Sequence, residues 1–168
     1  MHSKAVEAAV NDQIRDEFYS AHLYLSMSAF FESQSLGGFA TWMRMQYEEE
    51  IMHAVKLYDF LLDNDGKVEL QAIDQPPSGF GTPLEIMKQA LEHEREVSRS
   101  ITALYELALE ERDYPTQILL QWFISEQTEE EKMVGDIVAQ LEMIGSDGSA
   151  LLIMDGQLGS RRTQAADA

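Results

Sequence analysis

Four long segments of the chain carry apolar residues at alternating intervals of three and four, the spacing that places side chains on one face of an α-helix. The four apolar stripes contain Val10, Ile14, Glu17, Ala21, Tyr24, Ser28 and Phe31; Met43, Gln46, Glu50, His53, Leu57 and Phe60; Met87, Ala90, Glu94, Val97, Ile101, Leu104 and Ala108; and Leu120, Phe123, Gln127, Glu130, Val134, Ile137, Leu141 and Ile144. Each stripe is apolar at both ends and polar near its middle. The pattern therefore predicts an all-α four-helix bundle whose helices meet at one polar layer.

Glycine, proline and capping residues indicate where the first helices end and begin. The first helix is predicted at about residues 4–33 and the second at about 39–64. Thr82 caps the third helix and Pro83 opens it. The connection between the second and third helices has about sixteen residues, enough to cross a bundle from end to end. The expected topology is two antiparallel helices, a long crossover and two more helices.

The rest of the chain is predicted from the same signals. The third helix is expected to reach about Arg112, and the fourth to begin at Asp113 and end near residue 144. A short apolar segment then predicts a fifth helix at about 148–158, and residues from about 160 to 168 are expected to form a disordered tail. We interpret residues 1–168 as one domain, with the four-helix bundle at about 4–144.

Charge and composition exclude several classes of protein. The formal net charge of −18 and the pI near 4.4 argue against binding to nucleic acid or to an anionic membrane, and they suit small cationic partners. The absence of cysteine rules out thiolate zinc sites and iron–sulfur clusters. The first residues show no apolar targeting stretch, so a cytoplasmic location is expected, although a removed targeting peptide would leave no trace.

The polar middle of each stripe carries a glutamate: Glu17, Glu50, Glu94 and Glu130. Each lies roughly 17–24 Å along its helix, so the four carboxylates should meet in one layer. An ionised carboxylate buried without compensation costs several kcal/mol, and no lysine or arginine lies on any stripe. Two divalent cations would carry about four positive charges and leave the site near neutral. We therefore predict a two-metal centre.

The Glu50-x-x-His53 pair strengthens this prediction, because it places a carboxylate and an imidazole on one helix face. One metal is expected to have Glu17, Glu50 and His53 as ligands. The other would have Glu94, Glu130 and a shared Glu50, without an imidazole. The second site should therefore bind its metal more weakly.

The motifs that carry a family resemblance are Glu17 with Tyr24 seven residues later, Glu49-Glu50-Ile51-Met52-His53, Glu94, and Ser125-Glu126-Gln127-Thr128-Glu129-Glu130-Glu131. On these residues the chain resembles a non-haem ferritin of the prokaryotic type over essentially its whole length. The resemblance implies that Glu17, Glu50, His53, Glu94 and Glu130 are the ferroxidase ligands, that Gln127 lies beside the second iron and that Tyr24 is redox-active. It also implies a third iron site at Glu49, Glu126, Glu129 and Glu130. For Glu126 and Glu129, a solvated helical face is the competing interpretation. For Tyr24, the other interpretation is a core aromatic whose hydroxyl bonds to a glutamate, and both roles are compatible.

Three other residues are interpreted structurally. His22 and His93 lie off the stripes and are expected to be exposed or interface side chains rather than ligands. Trp122 could donate an electron near the metals, but a packing role is the simpler interpretation. No haem is expected, because haem-binding relatives have a methionine two residues before the site histidine, where this chain has Ile51.

The resemblance implies a function, an assembly and alternatives. The expected protein oxidises two Fe(II) with O2 or H2O2 and deposits ferric mineral inside a homo-oligomeric shell of 24 subunits. An apolar patch at residues 151–153 in the fifth helix is expected to be buried by symmetry-related contacts. One alternative is a di-iron oxidase or peroxidase of the rubrerythrin kind, which would not store iron. Another is a metal-free helical interaction module whose core glutamates stay protonated.

Overall fold

The computed structural model describes residues 3–161, and over these residues it contains five α-helices and no strand. The helices are α1 (Lys4–Ser33), α2 (Gly37–Asp63), α3 (Pro83–Glu110), α4 (Tyr114–Ile144) and α5 (Gly148–Leu158). The predicted all-α bundle with a short fifth helix is confirmed. Most of the expected tail lies outside the described residues; Ser160 and Arg161 are inside.

Local chemistry accounts for the helix ends. The Ser3 side chain caps α1 by accepting from the Val6 amide at 3.2 Å. Thr82 and Glu85 form a reciprocal capping box at the start of α3. The predicted end of α3 at Arg112 is wrong by two residues, because Arg112 adopts a left-handed conformation with φ 56°. The predicted start of α2 at residue 39 is also late, since α2 begins at Gly37.

The crossover between α2 and α3 follows α1 along its length, as the predicted topology requires. Near the start of α1, Asn11 donates to the Lys67 carbonyl at 2.9 Å and accepts from the Glu69 amide at 2.7 Å. Near its end, Ser26 donates to the Pro77 carbonyl at 2.5 Å. The connection therefore spans about 22 Å of helix, estimated from the rise per residue. It returns the chain to the end of the bundle where α3 begins.

The buried core has two apolar clusters, one toward each end of the bundle, with the polar layer between them. One cluster includes Phe31, Phe39, Met43, Met87 and Val134, and the other includes Val10, Leu57, Ile101, Leu120 and Phe123. Every residue predicted on the four stripes is buried except Phe60 and Ile144, which are half-buried. The apolar stripes were therefore assigned to the correct face along all four long helices.

Helix α5 docks on the first turn of α2, and two of the three residues of the apolar patch at 151–153 are exposed in the single chain. Leu151 packs against the core and is half-buried, whereas Leu152 and Ile153 are 63% and 65% exposed. The Phe39 amide donates to the Asp155 carboxylate at 2.9 Å. Among residues 3–161, no helix is both long and apolar enough to cross a membrane.

Gly38 permits this docking, and its replacement by alanine is expected to be destabilising. A Cβ at position 38 would lie 1.6 Å from the Asp155 carbonyl oxygen, so α5 would have to move. We expect the Gly38→Ala variant to lose about 1–3 kcal/mol of unfolding free energy, the usual cost of overpacking. Urea denaturation measures this change. Gly37→Ala is the matched control, because a Cβ there meets nothing within 4 Å, and equal stability of the two variants would contradict the prediction.

Candidate metal centre

The tightest group of potential ligands in the described part of the chain consists of Glu17, Glu50 and His53. One ligand atom of each lies within 4.8 Å of the other two. Glu50 and His53 are one helical turn apart on α2, and α1 presents Glu17 from the facing helix. All three residues are only 1% exposed. The structure therefore brings together the first predicted ligand set.

Three atoms of this cluster have no hydrogen-bond partner among the described residues: Glu17 Oε2, Glu50 Oε2 and His53 Nδ1. The His53 nitrogen and the Glu50 oxygen lie 3.4 Å apart, but they do not meet hydrogen-bond geometry. A buried polar atom without a partner typically costs about 1–3 kcal/mol. Two carboxylate oxygens and an imidazole nitrogen are ligands of a first-row divalent metal, so a cation fits the open valences of this cluster.

The electrostatics of the cluster support the same conclusion. Burial raises the pKa of Glu17 well above its usual range, and the neighbouring charge of Glu50 raises it further. Burial also raises the pKa of Glu50 well above its usual range, and the charge of Glu94 adds to this effect. Without a cation, both carboxyls hold their protons more strongly than they would in water. A divalent metal would compete with these protons for the same oxygens.

Glu94 and Glu130 lie in the same polar layer but are engaged in hydrogen bonds. The Tyr24 hydroxyl donates to Glu94 Oε1, and the Gln127 amide donates to Glu94 Oε2 at 3.1 Å. Gln46 Nε2 donates to Glu130 Oε2 at 2.8 Å. Burial, followed by the charges of Glu94 and Glu49, raises the pKa of Glu130 to about 8.

The predicted second ligand set is therefore less compact than the first. Over residues 3–161, Glu94 and Glu130 do not join Glu17, Glu50 and His53 in the group whose ligand atoms lie within 4.8 Å. Both are nevertheless buried, with exposures of 0% and 4%. A second metal at Glu94, Glu130 and Glu50 would bind carboxylates whose oxygens already accept hydrogen bonds from Tyr24, Gln127 and Gln46. Weaker binding at the second site stays a prediction.

Two residues that position Glu17 were missed in the sequence. Gln13 is 2% exposed, and its amide donates to Glu17 Oε1 at 2.9 Å. Ser100 donates to Gln13 Oε1 at 2.6 Å and thereby fixes which way the amide points. Gln13 lies beside the α1 stripe rather than on it, one helical turn before Glu17. That turn-related position was the only sequence signal that could have suggested it.

Residues predicted for a third metal line a cavity of about 730 Å³ beside the centre. Glu49, Glu126 and Glu129 line it together with Glu130 and His53. Burial raises the pKa of Glu126. Glu129 is exposed, whereas Glu49 is half-buried and contacts a cation.

That cation is Arg161, and it contacts Glu49 and Gln46 rather than any of the four glutamates on the stripes. Arg161 follows α5 and approaches from outside the four stripes. Its guanidinium donates to both carboxylate oxygens of Glu49, at 3.0 and 3.2 Å, and to Gln46 Oε1 at 2.6 Å. The absence of lysine and arginine from the stripes holds, but tertiary structure supplies the charge from another segment.

The structure also places His22, His93 and Trp122, the three residues that the sequence analysis interpreted structurally. His22 is exposed and contacts its own helix, at 2.9 Å from the Phe18 carbonyl, as expected. His93 is half-buried between α3 and α1, which fits the expected exposed or interface position: its Nε2 lies 2.7 Å from Ser20 Oγ, and its ring centroid lies 6.4 Å from that of Tyr24. Trp122 packs edge-on against His53 with ring centroids 5.5 Å apart. Trp122 therefore both packs in the bundle and lies next to the centre.

Fold and site together define a carboxylate-rich metal-binding four-helix bundle. A family model described as a ferritin-like domain matches residues 7–144. A bacterial non-heme ferritin from Bacteroides fragilis is 41% identical over 96% of this chain and 100% of its own length, and one from Staphylococcus aureus is 37% identical over 96% and 97%. An open pore ferritin from Archaeoglobus fulgidus has a TM-score of 0.96 at 44% identity, with coverage of 96% and 100%. The chain belongs to the ferritin family.

Family membership confirms the resemblance drawn from the motifs. It also supports the expectation that this chain is an iron-storage ferritin of the non-haem kind.

Proposed function

We propose that this protein is a ferroxidase-active ferritin subunit, which binds two Fe(II) in the polar layer of its bundle and oxidises them to Fe(III). The observation that carries the proposal is the set of three buried atoms without partners on Glu17, Glu50 and His53. These atoms belong to three side chains whose ligand atoms lie within 4.8 Å of one another. Such a cluster is costly without a cation and favourable with one.

The ligands suit iron as a substrate that enters as Fe(II) and leaves as Fe(III). Carboxylate oxygens are hard donors that hold Fe(III), and the imidazole of His53 favours a first-row metal at the first position. Glu50 neighbours Glu17 in the ligand cluster and is also affected by the charges of Glu94 and Glu130, so the proposal assigns it as the bridging ligand. Gln13 would hold Glu17 in orientation, as an outer hydrogen bond does for many metal ligands.

The proposed redox step balances with either oxidant. Two Fe(II) give up one electron each; O2 takes the two electrons and two protons and becomes H2O2. With H2O2 as oxidant, the same two electrons and two protons break the O–O bond and yield two waters. The ligand carboxyls, whose raised pKa values make them proton carriers in the metal-free state, release protons when iron binds.

Tyr24 is proposed as a further electron donor. Burial, with the charge of Glu94, raises the pKa of its phenol well above the usual range, so the hydroxyl stays protonated and donates to Glu94. Loss of an electron from the ring would therefore be coupled to transfer of the hydroxyl proton to the Glu94 carboxylate. Gln127, which also donates to Glu94, would hold that carboxylate in place.

Storage requires an assembly, and we propose a homo-oligomeric shell of 24 subunits. The similar proteins are ferritins by name. Large apolar side chains on the surface of the single chain support burial against further copies: Ile118 is 70%, Met143 79%, Leu152 63% and Ile153 65% exposed.

An iron titration tests the proposed function. We expect anaerobic addition of Fe(II) to saturate near two irons per subunit, and admission of air to convert them to Fe(III), followed by the broad absorbance of oxo-bridged ferric species. Calorimetry measures how many Fe(II) ions bind per subunit, and stopped-flow absorbance measures the rate of their oxidation. Size-exclusion chromatography measures the size of the assembly. Oxidation by a protein that never retains added iron would favour the rubrerythrin-like alternative. Absence of any saturable binding near two irons would favour the metal-free module.

A further inference from the structure

Arg161 lies at the edge of the acidic cavity, against two α2 residues that border the metal centre. Its side chain is 17% exposed and that of its partner Glu49 is 16% exposed, so this ion pair is largely removed from water. The guanidinium also lies over the Trp42 ring, 4.8 Å from its centroid. The two arms of the guanidinium have different partners: Nη2 donates to both oxygens of Glu49, and Nη1 donates to Gln46. A planar donor that is also stacked on an aromatic ring is a position at which arginine is not interchangeable with lysine.

The contact with Gln46 extends the influence of Arg161 to Glu130. Gln46 Oε1 accepts from the guanidinium at 2.6 Å, and its Nε2 donates to Glu130 Oε2 at 2.8 Å. A guanidinium is a donor only, so it fixes the Gln46 amide with the oxygen toward Arg161 and the NH2 toward Glu130. One cation thereby orients two of the carboxylates that line the cavity.

Among the described residues that line the cavity, Arg161 is the cation that pairs with one of its four glutamates. Two cations are among the described residues that line the cavity, and the other one, Lys132, is engaged with Asp136 at 2.6 Å. Glu49, Glu126, Glu129 and Glu130 line the same cavity. A metal ion bound among these carboxylates would share Glu49 with a guanidinium of the same sign, and the two cations would repel each other.

Arg161 is held near the cavity by the docking of α5. The Phe39 amide donates to the carboxylate of Asp155, and a Cβ on Gly159 would lie only 3.1 Å from Gly38 Cα. Arg161 is the second residue after Gly159. The backbone that carries the guanidinium is therefore held by the end of α5, whereas the guanidinium itself contacts α2.

We infer that Arg161 is a built-in competing cation, which a further metal ion must displace from Glu49 before it can bind in the cavity. The inference rests on the proposed function, and it adds a positioning residue that sets the affinity for metal beyond the first two ions. When the guanidinium is displaced, both Glu49 oxygens become free to bind the metal. The Gln46 amide also loses the contact that keeps its NH2 group directed toward Glu130. Occupancy of the cavity and the position of the segment after α5 are thus coupled.

The test is a titration of the assembled protein with Zn²⁺, a divalent ion without redox chemistry. Removal of the guanidinium in Arg161→Gln is expected to tighten binding of the ion beyond two per subunit by about tenfold, since a like charge close to the site is lost. The first ion, at Glu17, Glu50 and His53, should bind unchanged. Arg161→Lys, which keeps the charge but loses the planar group that donates to Glu49 and Gln46 at once, should fall between the two proteins.

The matched control is Arg99→Gln. Arg99 pairs with Glu92 at 3.0 Å on the exposed face of α3, so this variant removes the same charge without touching the cavity. Its isotherm should match that of the unaltered protein. Equal affinities for the additional ion in Arg161→Gln, Arg99→Gln and the unaltered protein would overturn the inference, as would weaker binding in Arg161→Gln.

Trp42 provides an independent readout of displacement. The chain has two tryptophans, so the Trp122→Phe background leaves Trp42 as the fluorescent reporter under the guanidinium. In the Trp122→Phe protein, we expect the Trp42 emission to change when Zn²⁺ binds beyond the first two ions, and to stay constant while the first two bind. When Arg161→Gln is also present, the additional Zn²⁺ should leave the emission unchanged. A change that accompanies the first two ions would contradict displacement. If the first two ions fail to bind to the unaltered protein, the proposed function fails; if they bind and Arg161 has no effect, only the present inference fails.

Discussion

Replacement of Glu50 by glutamine is expected to lower the initial rate of iron oxidation by more than about 100-fold. Loss of an outer hydrogen bond to a metal ligand typically costs 10–100-fold in metal affinity or activity, and Glu50 is proposed as a direct, bridging ligand. Glutamine has nearly the same shape but no charge. It therefore leaves Glu17 and His53 with one neutral partner and removes a negative charge from the predicted second ligand set.

Stopped-flow absorbance at two Fe(II) per subunit measures this effect. Glu106→Gln is the matched control, because Glu106 is an exposed glutamate on α3 that takes no part in the centre, and its rate should equal that of the unaltered protein. Circular dichroism and size-exclusion chromatography establish that Glu50→Gln folds and assembles. A folded variant that oxidises iron at the normal rate would refute the assignment of Glu50 as the bridging ligand.

Binding of Zn²⁺ is expected to raise the free energy of unfolding by about 5 kcal/mol when both sites of the centre are held at 100 times their dissociation constants. Each site bound only in the folded state contributes about 2.7 kcal/mol under that condition. The physical reason lies in the metal-free centre, where carboxylates are buried and two of their oxygens have no partner. A cation removes this destabilisation directly.

The pH dependence of this stabilisation follows from the raised pKa values. A carboxyl with a higher pKa in the folded than in the unfolded state binds more protons when folded, so the metal-free protein loses stability as pH rises between the two values. For Glu130 this window runs from about 4.3 in the unfolded chain to about 8 in the folded chain. Protons compete less with metal across the same window, so the stabilisation by Zn²⁺ should increase with pH.

Chemical denaturation with and without Zn²⁺, at several pH values across this window, measures both effects. The metal-free Glu50→Gln variant should be more stable than the metal-free unaltered protein near neutral pH, because glutamine removes the cost of burying a carboxyl that is ionised in the unfolded chain. It should also gain less from Zn²⁺. Equal gains in the two proteins would show that the metal binds elsewhere. A gain that falls as pH rises would contradict the proton competition.

The predicted ligands illustrate how much of the centre can be read from the chain. Glu17, Glu50, Glu94 and Glu130 interrupt stripes that are otherwise apolar, and all four are buried. A carboxylate at a core position is rare enough to be noticed without a structure. Their coincidence at mid-helix depth then predicts that they meet. What depth could not predict is that Gln127 and Gln46 would donate to two of them.

Glycine 38 shows where local rules gave the wrong answer. Two consecutive glycines predicted a turn and a later start for α2, yet both lie inside the first turn of the helix. Because Gly38 has no side chain, it can pack closely against Asp155 in α5, which is 117 residues away along the chain. A glycine that permits close packing and a glycine that permits a turn are identical in a sequence.

The sequence by itself determined the helices, the faces they bury and the carboxylate layer, because helical periodicity and the cost of buried charge act on residues that are neighbours along one helix. Only the tertiary structure decided which groups contact those carboxylates from elsewhere. Ser100 reaches Glu17 through Gln13, and Arg161 reaches Glu49 and Gln46 from the segment after α5. Such contacts join positions about 100 residues apart, and no period along the chain encodes them, since they depend on how the helices dock.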